Sequence, residues 1–559
     1  MNTKDDQKFI DGYSLVAQEL KTQGINIIYG IIGIPVTQLA YAIQKTKIRY
    51  IGMHNEQAAA IAAGAAGYLS QQPGVCMTVG GPGFTNALSG LANATENSFP
   101  MILISGSSDI EKAGIKQGDF QELDQITAAR PFVKAAFKAN TITSIGSIIA
   151  RAIRVSTSGR PGGVYVDLPT NILHETLPEK EANKSSRKKI IQVQHPFPNE
   201  ESINSAVNLL KCAKNPLLVI GKGAAYSRAE KQLIEFVEQT NMPFLPTSMA
   251  KGLIPDTHEL SASAARSLAL KEADVAIVVG GRLNWILQHG KPPKWNDKCK
   301  FIQIDICEEE MDSNVNIEVP IVGDAGKVMT KLFNAAKQMN YKTPSDWVDS
   351  IKRKVNTNLE KMEKRLSNIN YPMNFTTAFG TVRKVLEQFP ETIIVNEGAN
   401  TLDIARTIIP MSLPRKRLDA GSWGTMGVGM PYAIAAATHS INPVLAIEGD
   451  AAFGFSGMEI EVICRYHMPV IILILNNGGI YKGDAETLYK GDPAPARFIE
   501  GARYDKMIEA FGGKGYSVDN ADDLNTSLIK ALTEGNPALI NCIIDPHAGV
   551  ESGHLAAHN

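Results

Sequence analysis

The chain has 559 residues, which at about 100–200 residues per domain predicts roughly three domains with cores of their own. Its 56 Lys and Arg residues nearly balance 57 Asp and Glu residues, which argues against a broad nucleic-acid or membrane surface and favours small-molecule ligands. The six cysteines show neither CxxC spacing nor a Cys/His cluster, so they predict reduced, mostly buried thiols and no zinc site. The polar start Met1–Lys8 lacks an apolar signal region, and the longest apolar run, Val470–Leu475, suits a buried strand. A cytoplasmic protein is expected.

Short apolar runs alternate with helical stretches in three series along the chain. Apolar strands that are buried on both faces and separated by helices are typical of parallel α/β sheets. The runs are Ile25–Ile32, Val75–Val79, Met101–Ser105 and Val164–Asp167, then Leu217–Ile220, Val275–Val279 and Phe301–Ile306, then Thr392–Asn396, Val444–Glu448, Val470–Leu475 and Ala538–Ile544. An α/β protein with three doubly wound parallel-sheet domains is therefore predicted.

Two stretches between the series are predicted to be linkers, Pro178–Glu201 and Tyr341–Met373, because they are highly charged and show little core-like periodicity. The first contains the basic residues Lys184, Arg187, Lys188 and Lys189. A short charge run of this kind is more often a solvated connector than an anion site. The predicted domains are residues 1–178, 195–345 and 365–559.

Polar residues follow two neighbouring strands of the third series. Asp450 comes after the strand that ends at Glu448, and Asn477 comes after the strand that ends at Leu475. Because the carboxyl ends of parallel strands meet at one sheet edge, a carboxylate and an amide oxygen are expected at one point. Mg²⁺ prefers such oxygen ligands and shares them with phosphates, so Asp450, the Asn477 side chain and the Gly479 carbonyl are the candidate ligands.

Turn chemistry offers a simpler explanation, since Gly-Asp and Asn-Asn-Gly-Gly are ordinary residues after strands. Gly449 and Gly478 would also allow close backbone approach to a ligand. The helix between the two pairs is predicted to begin at a capping box, Ser456-x-x-Glu459.

The spacing of the two pairs resembles the signature of thiamine-diphosphate enzymes, which starts with Gly-Asp and ends with Asn-Asn about 30 residues later. The resemblance implies thiamine diphosphate with Mg²⁺ as cofactors and a fold of the thiamine-diphosphate enzyme type. Ala451 departs from the Gly or Ser that more often follows the Gly-Asp pair, but it leaves the metal-binding groups unchanged.

The stretch Met53–Ala59 ends an extended segment and opens a helix rich in Ala and Gly. It resembles the glutamate motif of the same family. The resemblance implies that the Glu56 carboxylate hydrogen-bonds the cofactor's pyrimidine ring, promotes its imino tautomer and helps to deprotonate the thiazolium carbon. A carboxyl can share a proton with a ring nitrogen, which an amide cannot. The simpler alternative is a first-turn Glu that answers the helix dipole.

Family architecture further implies that the glutamate of one subunit meets the diphosphate of another, so a homodimer is the minimum active unit and a homotetramer is expected. The His54-Asn55 pair departs from the Arg-His of the family's decarboxylases and is given no role.

Two glycine-containing turns are further candidates for the cofactor site. The segment Gly424-Thr425-Met426 resembles the family's Gly-x-Met, which implies that the Gly424 carbonyl and the Met426 amide address the pyrimidine while the Met426 side chain props the two rings. A core turn with Met as gap-filler is the alternative. The run Gly80–Gly83 could cradle a phosphate, but the resemblance implies a tight strand-to-helix turn.

Beyond these motifs, almost the whole chain is similar to the oxalyl-CoA decarboxylase family. The matching segments are Gly30–Pro35, Ser158–Tyr165, Gly221–Tyr226, Gly281–Trp285, Asn396–Asn400 and Gly454–Glu459. The resemblance implies decarboxylation of oxalyl-CoA to formyl-CoA. It also implies that Tyr481 helps to bind the diphosphate and that Ile34 lines the pocket of the reacting carbon.

The same resemblance implies two nucleotide-binding sets. An activating ADP would be held by Arg160, Lys222, Arg282, Asp305 and Asp324, although ordinary salt bridges explain these residues equally well. The CoA arm would be held by Arg266, Arg406 and Asn358. The C-terminal segment Ala548–Gly553 would close over the thioester through Glu551, Ser552 and Gly553.

One departure concerns the substrate. Phe120-Gln121 stands where the oxalyl-CoA decarboxylases have Tyr-Glu, which removes two proton carriers or water anchors near the reacting centre. The 2-hydroxyacyl-CoA lyases are more similar here. The tail Glu551-Ser552-Gly553 favours an oxalyl-CoA decarboxylase, which is the leading hypothesis, and the alternative is a 2-hydroxyacyl-CoA lyase that gives formyl-CoA and an aldehyde. A third hypothesis is a catalytically inactive nucleotide-binding or assembly protein that kept the fold. The presence of Glu56, Asp450 and Asn477 argues against it.

Overall fold

The computed structural model describes residues 8–113, 116–191, 193–489 and 491–549. The chain forms two compact units. The first combines the N-terminal region up to Gln194 with two later segments, Met430–Ser440 and Ser456–Tyr466. The remainder, from His195 onwards, forms the second.

A six-stranded parallel sheet of order β3-β2-β4-β5-β7-β6 forms the first unit, with a small antiparallel pair, β1-β8, beside it. The strands are β1 Phe9–Asp11, β2 Ile27–Gly30, β3 Arg49–Gly52, β4 Gly74–Thr78, β5 Met101–Ser107, β6 Ala135–Lys138, β7 Gly163–Pro169 and β8 Thr176–Pro178. The helices are α1 Gly12–Thr22, α2 Thr37–Lys45, α3 Glu56–Ser70, α4 Pro82–Glu96, α5 Gln125–Ala129, α6 Ile145–Thr157, α7 Thr170–His174 and α8 Glu179–Ser185, with 3₁₀ turns at Arg130–Phe132 and Ile142–Ser144.

Small residues let α3 lie close to its neighbours. A Cβ on Gly67 would come within 1.9 Å of the Pro100 carbonyl oxygen, and a Cβ on Gly90 of α4 would come within 2.4 Å of the Ala60 Cβ. Because no larger side chain fits at these contacts, the Ala- and Gly-rich sequence is a packing requirement of this helix pair.

The second unit begins with a five-stranded parallel sheet of order β10-β9-β11-β12-β13. The strands are β9 Pro216–Ile220, β10 Phe244–Pro246, β11 Val275–Val279, β12 Lys300–Asp305 and β13 Val319–Val322. The helices are α9 Glu200–Cys212, α10 Lys222–Tyr226, α11 Glu230–Thr240, α12 Arg266–Glu272, α13 Ala325–Gln338 and α14 Ser345–Leu366, with 3₁₀ turns at Ser248–Ala250, Ser263–Ala265, Trp285–Gly290 and Glu308–Glu310.

Helix α14 corrects one expectation. The stretch predicted to be a linker with little core-like periodicity contains this 22-residue helix, whose residues Trp347, Val348 and Ile351 are buried. Only one face of the helix, near its start, is apolar. The charged residues on the other faces dominate the average hydropathy of the stretch, so the helical periodicity is not apparent in the sequence.

The third sheet is also parallel, with the order β15-β14-β16-β17-β19-β18. The strands are β14 Ile393–Glu397, β15 Arg417–Asp419, β16 Val444–Gly449, β17 Val470–Asn476, β18 Lys514–Val518 and β19 Ala538–Ile543. The helices are α15 Phe375–Leu386, α16 Ala399–Ile408, α17 Gly429–His439, α18 Asp450–Phe453, α19 Ile460–Arg465, α20 Asp505–Glu509 and α21 Ala521–Glu534, with a 3₁₀ turn at Gly457–Glu459.

The prediction of three parallel α/β sheets is confirmed, and β14, β16 and β17 are buried along nearly their whole length, as the apolar runs indicated. All six cysteines are free, but only Cys76, Cys464 and Cys542 are buried. Among the described residues, no helix combines the length and the apolar character needed to cross a membrane.

Candidate active site

The polar residues that follow two neighbouring strands meet in the structure. β16 and β17 are paired in parallel with Gly449 opposite Leu475, so the residues after both strands lie at one sheet edge. There the Asp450 carboxylate accepts hydrogen bonds from the Gly478 amide and from the Ala451 amide, both at 2.9 Å. The predicted meeting of Asp450 with the Asn-Asn-Gly-Gly turn is present.

Burial and donor geometry at this edge suit a hard cation. Asp450 is 2% exposed, and burial raises the pKa of its carboxyl to about 6, against backbone amides that favour the ionised form. The Asn477 Nδ2 donates to the Tyr481 carbonyl at 2.8 Å, which leaves the amide oxygen of Asn477 as its ligand atom. Gly478 has a φ of 79°, a left-handed conformation that favours glycine. The residues present therefore fit Mg²⁺, including a Gly479 carbonyl in the same turn.

A buried carboxylate holds the segment predicted to address the cofactor. Glu397, the last residue of β14, accepts hydrogen bonds from the amides of Gly427 and Gly429. Gly424 has a φ of 71°, and, apart from its chain neighbours, no atom of the described residues lies within 4 Å of the place where its Cβ would stand. Residues 425–426 between them are half-buried. The segment is thus anchored at one end and open at the other, which leaves room for a ligand at Gly424.

Glu397 has a second buried carboxyl beside it, which the sequence did not predict. Glu448 lies opposite Glu397 in the register of β14 and β16, and both its carboxyl oxygens are buried with no hydrogen-bond partner in the described part of the chain. Burial raises the pKa of both groups, and Glu397 raises that of Glu448 further. In the sequence, the only indication of this pair is that Glu397 and Glu448 each immediately precede a glycine of one of the family motifs.

Glu56 is the first residue of α3. The preceding Asn55 caps the helix, its side chain accepting from the amides of Gln57 and Ala58. The Glu56 Oε2 accepts from the Asn86 Nδ2 at 3.1 Å, while a Cβ on Gly83 would stand 3.3 Å from Oε1. One carboxyl oxygen is therefore held by an amide and the other faces a glycine.

The run Gly80–Gly83 is a strand-to-helix turn. The Gly83 amide donates to the Gly80 carbonyl at 3.2 Å, and the Gly81 amide donates to the Gln125 side chain at 2.7 Å. Because the Gly81 amide already donates to a side chain of the protein, a tight strand-to-helix turn is a better interpretation than a phosphate-binding loop.

Comparisons with known proteins identify the family. Models of the thiamine pyrophosphate enzyme N-terminal, central and C-terminal domains match residues 10–128, 203–332 and 397–542. Oxalyl-CoA decarboxylase of Escherichia coli (strain K12) is 51% identical over 99% of this chain and 98% of its own. The 2-hydroxyacyl-CoA lyases of Oryza sativa subsp. japonica and Arabidopsis thaliana are 45% and 47% identical, over 98% of both chains in each case.

The chain belongs to the thiamine pyrophosphate enzyme family. Its N-terminal and C-terminal regions are the cofactor-binding domains of that family, which supports thiamine diphosphate as the cofactor.

Two predicted substrate residues of the first unit are largely exposed. Ile34 is 69% exposed and Phe120 is 64% exposed. The Phe120 carbonyl accepts from the Ser108 hydroxyl at 3.2 Å, and Gln121 has a φ of 57°. A Cβ on Gly81 would lie 2.9 Å from the Gln121 carbonyl oxygen, so this loop packs on the glycine turn through its backbone. Its side chains are left available for contacts outside the unit's core.

The three residues predicted for the CoA arm lie together in the second unit. Arg266, at the start of α12, donates from Nη2 to the Ile286 carbonyl at 2.8 Å, and Asn358 of α14 donates to the Ala264 carbonyl at 2.7 Å, two residues before Arg266. Burial lowers the pKa of Arg266 to about 10, with the charge of Arg406 as the second cause. Because neighbouring cations lower each other's pKa, an anionic ligand near Arg266 and Arg406 would be favourable.

Further buried charges surround this pair and were missed by sequence reasoning. Arg406 lies 4.0 Å from Asp419, and Lys251 lies 2.7 Å from Asp256. Arg417 is fully buried on β15, where its two Nη atoms have no hydrogen-bond partner among the described residues, and burial lowers its pKa to about 10. β15 is a three-residue edge strand, too short to stand out in an apolar profile.

Four of the five residues predicted for ADP follow strands of the middle sheet. Lys222 follows β9, Arg282 follows β11, Asp305 ends β12 and Asp324 follows β13. Asp324 caps α13 through one carboxyl oxygen and accepts a serine hydroxyl with the other, so it has a structural role of its own. Arg160 lies in the first unit, after α6.

Two further predictions concern the start of the helix between the cofactor motifs and the C-terminal tail. The capping box Ser456-x-x-Glu459 is wrong: the Ser456 Oγ is buried without a partner in the described chain, and Glu459 instead accepts from the backbone of His54 and Asn55. The tail residues Glu551, Ser552 and Gly553 lie outside the described residues.

Proposed function

We propose that this chain converts oxalyl-CoA and a proton to formyl-CoA and CO₂. The 51% identity to the Escherichia coli oxalyl-CoA decarboxylase over 99% of the chain carries this proposal. The sequence contains Glu56, Asp450 and Asn477, the residues that we assign to the cofactor. In the net reaction the oxalyl carboxylate leaves as CO₂ and a proton takes its place on the thioester carbonyl carbon.

The edge of the third sheet would hold the diphosphate through Mg²⁺. Asp450, the Asn477 amide oxygen and the Gly479 carbonyl would bind the metal, with Tyr481 and Ala451 beside the diphosphate. The support is the buried carboxylate, whose raised pKa falls again once a cation balances its charge. Bound thiamine diphosphate supplies a carbon nucleophile next to an electron-accepting ring, which loss of a carboxylate beside a carbonyl requires.

Glu56 would hold and move a proton at its Oε1. Asn86 donates to the other oxygen at 3.1 Å, which orients the carboxyl. A Cβ on Gly83 would stand 2.6 Å from the Val79 Cγ2 and 3.3 Å from Oε1, so any larger residue at this position would crowd the carboxyl. Gly424, Thr425 and Met426 would contact the cofactor's pyrimidine ring.

Arg266, Arg406 and Asn358 would bind the nucleotide end of CoA. Their support is the buried, locally positive cluster in which burial and neighbouring cations depress the pKa of arginine side chains. A phosphate would accept hydrogen bonds that the buried Arg266 Nε lacks among the described residues. Ile34 and Phe120 would line the acyl pocket.

The second candidate is a 2-hydroxyacyl-CoA lyase activity, which cleaves the substrate to formyl-CoA and an aldehyde. The observation in its favour is Phe120-Gln121: an apolar ring and a neutral amide stand where two proton carriers would suit decarboxylation. Plant 2-hydroxyacyl-CoA lyases are 45% and 47% identical to this chain, so the overall comparison leaves both acyl groups open.

The remaining parts of the proposal follow the family resemblance. ADP would act as an activator at Arg160, Lys222, Arg282, Asp305 and Asp324. A homodimer is the minimum active unit, with a homotetramer expected. The Glu551-Ser552-Gly553 segment would close over the thioester, with Phe120, Gln121, Tyr481 and Ser552 near the reacting atoms. The domains are residues 1–178, 195–345 and 365–559, and the compartment is cytoplasmic.

Product analysis tests the proposal. The enzyme with thiamine diphosphate and Mg²⁺ is incubated separately with oxalyl-CoA and with a medium-chain 2-hydroxyacyl-CoA, and formyl-CoA, CO₂ and aldehyde are measured. We expect CO₂ and formyl-CoA from oxalyl-CoA at the higher kcat/KM. Aldehyde release with no oxalyl-CoA turnover would replace the proposal by the lyase activity.

A further inference from the structure

The outer edge of β3 is covered by side chains. β3 is the last strand of its sheet, so one side of it lacks a strand partner. The Tyr466 hydroxyl accepts from the Gly52 amide and donates to the Tyr50 carbonyl, both at 3.1 Å. Arg465 donates from Nη2 to the Gly52 carbonyl at 2.6 Å. Side chains of the segment Ser456–Tyr466 thus take the place of a neighbouring strand.

Glu459 extends this cover to the start of α3. Its Oε1 accepts from the His54 amide at 3.1 Å and from the Asn55 amide at 3.0 Å, and its Oε2 lies 3.3 Å from the His54 amide. Glu459 is 1% exposed. The bonded residues are the two that immediately precede Glu56, so the carboxyl of Glu459 fixes the backbone that leads into it.

Two other contacts concentrate on the same turn. Asn55 caps α3 with its side chain, and the His54 Nε2 lies 2.7 Å from Glu461. Burial raises the pKa of Glu459 to about 7, and the hydrogen bonds from His54 and Asn55 oppose that rise. The Glu459 carboxyl is kept out of water, so its burial is offset by hydrogen bonds from the protein. Among the described residues, those bonds come only from the amides of His54 and Asn55.

We propose that Glu459 is a positioning residue for Glu56. By fixing the amides of His54 and Asn55, it sets the direction in which the first residue of α3 projects and so the place of the Glu56 carboxyl against the cofactor. This rests on the proposed function, in which Glu56 acts on the pyrimidine ring. The competing explanation is that Glu459 only covers the sheet edge, as Tyr466 does at Gly52, four residues before Glu56.

The experiment measures exchange of the C2 proton of thiamine diphosphate for deuterium in the holoenzyme with Mg²⁺, read by NMR after acid quench. Because Glu56 promotes this exchange, E56Q sets the scale of the effect. We expect E459A to slow exchange by about 10–100-fold, less than the loss of about 10²–10⁴-fold for a missing acid–base group, because Glu56 itself is retained. Its Kd for thiamine diphosphate should stay within about threefold of the parent. E459Q keeps one acceptor oxygen and should recover part of the rate.

Tyr466→Phe is the matched control, because it removes two hydrogen bonds from the same strand edge without touching His54 or Asn55. It should leave the exchange rate near that of the parent. The double variant E56Q/E459A should be no slower than E56Q, because Glu459 acts only through Glu56. If E459A does not fold, E459Q with its intermediate rate decides.

Several outcomes would overturn the inference. They are a parental exchange rate in folded E459A or in E459Q, an equal loss in Y466F, or a double variant slower than E56Q by the full factor of E459A. A parental rate in E56Q would instead refute the role of Glu56 in the proposed function, whatever Glu459 does. The two failures are therefore distinguishable.

Discussion

Replacing Asp450 by Asn should separate cofactor binding from protein stability. The change removes a charged metal ligand but keeps the shape of the side chain, so Mg²⁺-dependent binding of thiamine diphosphate should weaken. Loss of groups that merely support metal ligands costs about 10–100-fold in affinity, so loss of the ligand charge itself should cost at least about 100-fold. Without cofactor, the same substitution should have little effect on the fold.

The small effect on stability follows from two opposing contributions. Burial raises the pKa of Asp450 from 3.8 to about 6, which at about 1.36 kcal/mol per pKa unit corresponds to about 3 kcal/mol of charge burial that Asn avoids. Against this, Asn has one acceptor oxygen where the carboxylate has two, and an unsatisfied amide costs about 1–3 kcal/mol. The free energy of unfolding should therefore change by less than about 2 kcal/mol.

The pH dependence has a definite sign. Because the folded-state pKa of Asp450 lies above its unfolded value, the unfolded chain releases this proton first, and stability of the cofactor-free protein falls as the pH rises from 3.8 to about 6. The Asp450→Asn variant should lack this part of the fall. Urea unfolding of both proteins at several pH values measures the difference.

Calorimetric titration with thiamine diphosphate and Mg²⁺ measures the binding effect. Asp505→Asn is the matched control, because Asp505 is equally buried in the same domain but paired with Arg503 at 2.6 Å. It should lower stability and leave the cofactor affinity unchanged. Undiminished affinity in Asp450→Asn would refute the metal site.

Three further substitutions test the other parts of the site. Glu56→Gln should keep thiamine diphosphate bound but lower kcat by about 10²–10⁴-fold, as measured by turnover and titration, and a near-normal rate would reduce Glu56 to a helix-start residue. Arg266→Ala should raise KM for the CoA thioester at least tenfold, or about 1.4 kcal/mol, while KM for the corresponding pantetheine thioester stays constant. Phe120→Tyr with Gln121→Glu should raise kcat/KM on oxalyl-CoA and lower it on a medium-chain 2-hydroxyacyl-CoA; no change on either would remove this loop from the reaction centre.

The strands and the metal edge could be predicted because their signals are local. Runs such as Val470–Leu475 are apolar throughout, since a central parallel strand is buried on both faces, and the Asn pair follows immediately. Helix α14 was missed for the opposite reason. Its buried residues lie on one face near Trp347, and the charges of the other faces dominate the composition.

Contacts that are distant in sequence could not be predicted. Glu459 was expected to cap its own helix, but its partner Asn55 is 404 residues away. The spacing Ser-x-x-Glu does not reveal whether the Glu bonds its own helix or a distant backbone. The buried Arg417 was missed because nothing in a three-residue edge strand announces that an arginine will be enclosed. Such residues are recognised only once the fold brings their partners together.

The residues assigned to the cofactor and those assigned to the acyl group differ in burial. The groups assigned to the cofactor, Asp450 and Asn477, are enclosed at a sheet edge, where a change of residue would leave a charge or an amide unsatisfied. Ile34 and Phe120 are mostly exposed, and substitution there changes little in the packing of the first unit. Relatives that share the buried groups can therefore share the cofactor chemistry while differing in the acyl group they accept. For this reason about 50% identity identifies the cofactor more firmly than the substrate. We propose that the loop at Phe120 decides between oxalyl-CoA and a 2-hydroxyacyl-CoA.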